Sequence, residues 1–168
     1  MFARWNTERG RRGEATISED QILTRIHEMG YITLKPIEVN PSYYELTDGT
    51  IIEAGIRIEA VVPDPTQPNG YNVRTSNYAV TYVPRNARTP ERYRPLTSAA
   101  ELATGIVEED VENRILKEEF SSYALSNGMT LSIKAVVAQI QKTRFFTEQG
   151  EPIYSVQISP VYKFKKGS

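Results

Sequence analysis

The chain has no cysteine, one histidine and one tryptophan among its 168 residues. Without cysteine there is no disulfide, no thiol nucleophile and no thiolate zinc site. With His27 alone there is no histidine-rich metal site. Its place four residues after Leu23, beside the apolar stripe of a helix, marks it as a packing residue rather than a general base. No apolar run approaches the roughly 20 residues that span a bilayer. The opening MFARWNTERGRRGE lacks the apolar centre of a signal peptide, so the expectation is a soluble, cytoplasmic protein with no membrane partner.

Glycine is present but not in phosphate-binding order. Gly10, Gly13, Gly49 and Gly128 fit neither the P-loop nor the dinucleotide pattern, and G-x-S-x-G is absent. The acidic run Glu108, Glu109, Asp110 and Glu112 lacks the spacing and turn glycine of a calcium loop and reads as a solvated helix face or helix end. No catalytic residue, metal ligand or cofactor is therefore assigned, and the reading leans away from an enzyme.

What is present is a folding composition, 39% apolar and 24% charged, with a net charge of −1 that draws the whole molecule to no polyanion. The length suits one domain, or two very small ones that must lean on each other because small domains bury too little surface.

The strongest pattern is internal. YELTDG at 44–49 recurs as YALSNG at 123–128, an offset of 79 residues. ISEDQILTRI at 17–26 recurs as TSAAELATGI at 97–106 with offset 80, and YNVRTS at 71–76 as YSVQIS at 154–159 with offset 83. Three matches in one order point to a duplication. The expected organisation is a basic N-terminal arm at 1–14, a first α+β repeat at 15–84, an arginine-rich connector at 85–95 and a second repeat at 96–168.

Each repeat opens with a helix signal. Ser18 with Gln21 forms a capping-box pattern, Ile22, Leu23, Ile26 and Met29 share a face, and Gly30 ends the run. Ser98 and Glu101 repeat the pattern before Leu102 and Ile106, with Gly105 leaving open whether the helix stops or continues to Val111. Asp48-Gly49 and Asn127-Gly128 predict two-residue type I′ hairpin turns. After them Ile52, Ala54, Ile56, Ile58 and Ala60 share one face of a strand, as do Leu131, Ile133, Ala135 and Val137. The next strand changes phase after Thr75, passing to Tyr78, Val80 and Tyr82. Its counterpart is interrupted at Pro160, and a bulge or an edge position explains both breaks. The fold class is α+β: one helix covering an antiparallel meander, twice, as two pseudo-symmetric halves packed together.

Candidate binding residues are basic and aromatic. Arg4, Trp5, Arg9, Arg11 and Arg12 lie in the arm, and Arg85, Arg88, Arg92, Tyr93 and Arg94 in the connector, each segment preceding a helix. Arginine binds phosphate bidentately and stacks on bases. Against this stands the plainer reading of solvated linkers, or of arginines paired with the acidic 108–119 stretch. The expected function is a non-enzymatic interaction or assembly module, with a protein partner or self-association. Nucleic-acid binding through the same arginines is the alternative, and a small enzyme or ligand-binding site between the halves a further one.

Overall fold

In the computed structural model the described residues are 16–96 and 98–167. Helix α1 (Glu19–Glu28) precedes β1 (Leu34–Glu38), β2 (Ser42–Leu46), β3 (Ile51–Pro63) and β4 (Tyr71–Tyr82). Helix α2 (Ala99–Thr104) then precedes β5 (Ile106–Glu108), β6 (Asn113–Lys117), β7 (Ser121–Leu125), β8 (Met129–Phe146) and β9 (Pro152–Lys166). The chain is a mixed α+β protein with few helices and two antiparallel sheets.

The first sheet runs β4-β3-β2-β6. The second runs β1-β7-β8-β5, with β9 on the other side of β8. The meander β2-β3-β4 thus takes its fourth strand from the far half of the sequence, and β7-β8-β9 takes β1 from the near half. The pairings agree in detail. Ser42↔Ala54 and Tyr44↔Ile52 stand beside Ser121↔Ile133 and Tyr123↔Leu131, each 79 residues on. Leu34↔Leu125 stands beside Leu46↔Asn113 in the same sense. The register shift between Ile58 and Ala60 in β3 returns between Val137 and Gln139 in β8.

These bulges correct the alternation read from sequence. Ile52, Ala54, Ile56 and Ile58 point inward, but the extra residue at Glu59 moves the inward role from Ala60 to Val61, which is buried. At the matched place the inward series Leu131, Ile133, Ala135, Val137 resumes at Ile140. The bulge lets each long strand serve two core clusters. One joins Tyr44, Leu46, Ile52 and Ala54 to Val111, Ala135 and Ile140. The other joins Val61 and Val73 to Leu125 and Leu131. Each cluster draws on both halves of the chain.

The strand exchange is fastened by polar bonds. The Asn40 backbone N–H donates to Ser121 Oγ at 2.8 Å and its side-chain amide to the Phe120 carbonyl at 3.0 Å. The Ser42 hydroxyl donates to the Ala135 carbonyl at 2.6 Å. All three bridge residues more than 70 positions apart.

The helices do not cover the sheets, contrary to the expectation from sequence, because each sheet already covers the other. Neither α1 nor α2 buries a residue. The α1 capping box forms as read, Ser18 Oγ accepting from Gln21 N–H and Gln21 Oε1 from Ser18 N–H. Ser98 caps by position only, without a side-chain bond, and α2 stops at Gly105 rather than running on to Val111. The chain turns there into β5, so the acidic run at Glu108–Glu112 is strand end and loop instead of a helix face.

The hairpin turns fall where the Asp-Gly and Asn-Gly pairs place them, but their type differs. Asp48 and Asn127 do not have positive φ; only Gly49 (90°) and Gly128 (87°) do. Gly49 N–H donates to the Leu46 carbonyl and Leu46 N–H to that of Thr50, which is a three-residue loop closed by a glycine bulge. Asp48 and Asn127 instead use their side chains, accepting from Thr50 N–H and Met129 N–H at 2.9 and 3.1 Å.

Candidate interaction faces

With the inner faces filled by the core, each sheet offers its outer face. On the first sheet Glu53 stands near the start of β3, with Tyr43 opposite on β2 and Val80 opposite on β4. The diagonal neighbours on β4 are Tyr78 and Tyr82, whose hydroxyls donate to the two Glu53 oxygens at 3.1 and 3.2 Å. Tyr78 can lie across the sheet because its direct partner is Gly55, where a Cβ would come within 2.1 Å of the ring. The Arg57 guanidinium sits 5.8 Å from the centroid of that ring. Burial and then the bond to Glu53 raise the Tyr78 pKa, and the Glu53 charge raises that of Tyr82. Among the described residues Glu53 has no ion-pair partner. It is a carboxylate ringed by phenols, with Tyr82 and Val80 exposed at its edge.

The matched positions of the second sheet carry other chemistry. Ser132 stands where Glu53 stands, Ser122 where Tyr43 does, and Lys134, Val161, Lys163 and Lys165 where Gly55, Tyr78, Val80 and Tyr82 do. Phe120 lies on this face between two lysines, its centroid 4.8 Å from Lys134 Nζ and 4.6 Å from Lys163 Nζ. Lys134 is held further by Glu118 at 3.8 Å. That carboxylate accepts from the Tyr44 hydroxyl at 2.5 Å, and the Tyr44 hydroxyl accepts from Val137 N–H at 3.1 Å. Burial and then the bond to Glu118 push the Tyr44 pKa up to about 12. Among the described residues Lys163 and Lys165 have no carboxylate partner.

The connector arginines lie elsewhere and are not on a loose segment. Residues 85–95 wrap the tip of the β8–β9 hairpin. Thr89 N–H donates to the Gly150 carbonyl at 2.9 Å, and Arg94 and Phe146 exchange both backbone bonds at 3.2 Å. A Cβ on Gly150 would come within 2.1 Å of the Thr89 backbone, so glycine is required for that approach. Arg88 Nε donates to the Val83 carbonyl, and Arg92 stacks over Phe146 at 5.9 Å. Arg85, Arg88, Arg92, Tyr93 and Arg94 are all exposed, and among the described residues no carboxylate pairs with the four arginines. Arg4, Trp5, Arg9, Arg11 and Arg12 lie outside the described residues.

His27 is exposed on α1, where its Nδ1 lies 2.9 Å from Ser126 Oγ, which accepts from Thr33 N–H. Among the described residues no group of histidine and carboxylate side chains could hold a metal ion, and no helix is long and apolar enough to cross a membrane.

Sequence reading missed Glu53, Tyr43, Tyr78 and Tyr82 as a group, and Phe120 with its lysines. The phase change at Tyr78, Val80 and Tyr82 was the available signal: it marks a stripe of large side chains turned away from the core. Its meeting with Glu53 depends on register, which the residues of one strand do not display.

Compared with family models, with curated proteins and with solved structures, the chain matches none.

Proposed function

We propose that this protein is a non-enzymatic interaction and assembly module, a rigid two-sheet scaffold whose opposite outer faces are its recognition surfaces. One observation carries this reading. At matched register positions one face holds Glu53 among Tyr43, Tyr78 and Tyr82, while the other holds Lys134 and Lys163 around Phe120, with Lys165 further along β9. The inner positions keep one apolar plan, as packing demands. The outer positions answer to no such demand, yet they concentrate tyrosine on one side and lysine on the other. Tyrosine gives large contact area at little entropic cost, and unpaired lysine gives charge selectivity.

The scaffold itself arose, on this reading, by duplication of a unit of about 80 residues. Support comes from the three sequence matches and from the recurrence of strand pairings and bulges at a constant shift of 79 residues from β1–β3 to β6–β8. Exchange of β1 and β6 between the sheets then joined the copies into one core.

Nucleic-acid binding is the second reading, favoured by the exposed Arg85, Arg88, Arg92 and Arg94, which lack carboxylate partners among the described residues. A site between the halves is the further reading: surface clefts lie between them beside His27, Thr33 and Ser126 and beside Glu45 and Arg114.

Light scattering on a sizing column at low and high salt, with and without mixed-sequence DNA and RNA oligonucleotides, tests these readings. The module reading expects a mass that grows with protein concentration and is unchanged by the oligonucleotides. A complex that forms with them at low salt and dissolves at high salt transfers the lead to the arginines. A single-chain mass under every condition counts against the arginine reading, and counts against the module reading too where the protein also fails to bind an immobilised oligolysine peptide.

A further inference from the structure

We infer that the partner of each outer face is the opposite face of a second copy of this chain, so that the protein assembles head to tail. The inference rests on the module reading and names its partner.

Each face lacks what the other carries. Glu53 accepts from two tyrosine hydroxyls but has no cation beside it among the described residues. Tyrosine rings around a carboxylate form a site for an ammonium group, which gains both the charge and the ring faces. Arg57 already uses the Tyr78 ring in this way from one side. On the other sheet Lys163 and Lys165 project from β9 without carboxylate partners among the described residues, and Lys163 already lies against an aromatic ring, Phe120. One face therefore presents ammonium groups, and the other the aromatic and carboxylate groups that receive them.

Geometry then fixes the kind of assembly. The sheets pack inner face to inner face, so their outer faces point away from each other. A joint that uses one face of each kind leaves an unused face at both ends. Such a contact is heterologous: it does not stop at a twofold dimer and continues into a ring or an open filament. Glu53 and Lys163 lie in the same register row of their respective sheets, Glu53 facing Val80 and Ser132 facing Lys163, so the two outer faces present their groups at matched places.

The test uses two doubly substituted proteins, each altered on one face: Glu53→Ala with Tyr82→Ala, and Lys163→Ala with Lys165→Ala. Urea unfolding first verifies that both keep the wild-type midpoint. By sedimentation velocity at low salt the wild type is expected to grow with concentration beyond two chains. Each altered protein alone is expected to stay a single chain, associating more weakly by upwards of about tenfold. Mixed together they are expected to form a pair and nothing larger, because each supplies the face the other lacks. Wild type that stays a single chain, association that survives either double substitution, or a mixture that does not pair would each overturn the inference. Retention on an immobilised oligolysine peptide, run in parallel, separates the two levels. A single-chain wild type that binds the peptide through Glu53 keeps the module reading and overturns the second copy as partner. A single-chain wild type that ignores the peptide overturns both.

Discussion

The two sheets are built on one plan inside and on two plans outside. Ile52 and Leu131 occupy matched places and are both wholly buried; Leu46 and Leu125, and Tyr44 and Tyr123, keep their type as well. On the outside Gly55 faces Tyr78, whereas Lys134 faces Val161. A tyrosine ring laid flat over the neighbouring strand needs a glycine beneath it, and a valine does not. One such exchange changes an aromatic surface into a cationic one without touching the core. Interdigitated packing holds the inner positions to size and polarity, while the outer ones are free of that constraint.

The polar connections diverge in the same way. Tyr44 reaches through to Glu118, and that carboxylate also holds Lys134. Tyr123 has the same burial-raised pKa direction without a carboxylate as cause. The hairpin ends diverge too. The β8–β9 hairpin carries β5 and the connector, and among the described residues neither has a counterpart at the end of β3–β4.

Separating the halves is expected to have the largest effect. Residues 15–84 and 96–168, produced as separate chains, are each expected to lack a cooperative urea transition, because each core cluster takes side chains from both. A half that unfolds cooperatively alone would show that the exchange of β1 and β6 is dispensable.

Next in size are the matched core positions. Ile52→Ala and Leu131→Ala are each expected to lose about 2–5 kcal/mol in urea unfolding, within one transition. Two transitions in either variant would mean that the clusters fold independently.

The outer faces sharpen the comparison at lower cost. Gly55→Ala forces Tyr78 off the sheet and is expected to lose about 1–3 kcal/mol. Tyr78→Ala in the same chain is expected to relieve most of that loss. Lys134→Ala, at the matched place, removes a partly exposed ion pair and a contact with the Phe120 ring and is expected to lose about 1 kcal/mol.

The smallest effect is read by pH. The Tyr44 pKa rises from 10.0 to about 12 on folding, so the native state holds this proton more tightly than the unfolded chain does. That contribution is complete below pH 10 and is lost as pH rises through about 12. Alkaline unfolding of the wild type is expected to steepen across that window. Tyr44→Phe flattens the slope there more than Tyr123→Phe, measured by circular dichroism in moderate urea. Equal slopes would mean that Glu118 adds nothing to the burial of Tyr44.

Much of the fold was legible in the residues. The capping box at Ser18 and Gln21, the positions of both glycine turns and the inward series of β3 and β8 follow from local chemistry, and local chemistry is what a sequence displays. The strands β1 and β6 were not legible: Leu34–Glu38 and Asn113–Lys117 are mostly exposed edge strands and carry no clean alternation. The turn type was misread because Asp48 and Asn127 satisfy the same dipeptide preference through side-chain bonds as through positive φ. The helices were expected on the sheets because an amphipathic stripe states that a face can be buried, not against what. Of the candidate residues, the connector arginines are exposed as expected, but the segment is pinned to a hairpin tip by backbone bonds that no composition reveals.

Spacing within a few residues thus specified the helix starts, the hairpin turns, the long strands and the likeness between the two halves of the sequence. The tertiary structure decided which half lends a strand to which sheet, where a bulge turns the inward face, and that Glu53 meets Tyr78 and Tyr82. Those outcomes depend on register and on contacts between segments about 20 to 100 residues apart, and a pattern within one strand carries no record of its partner.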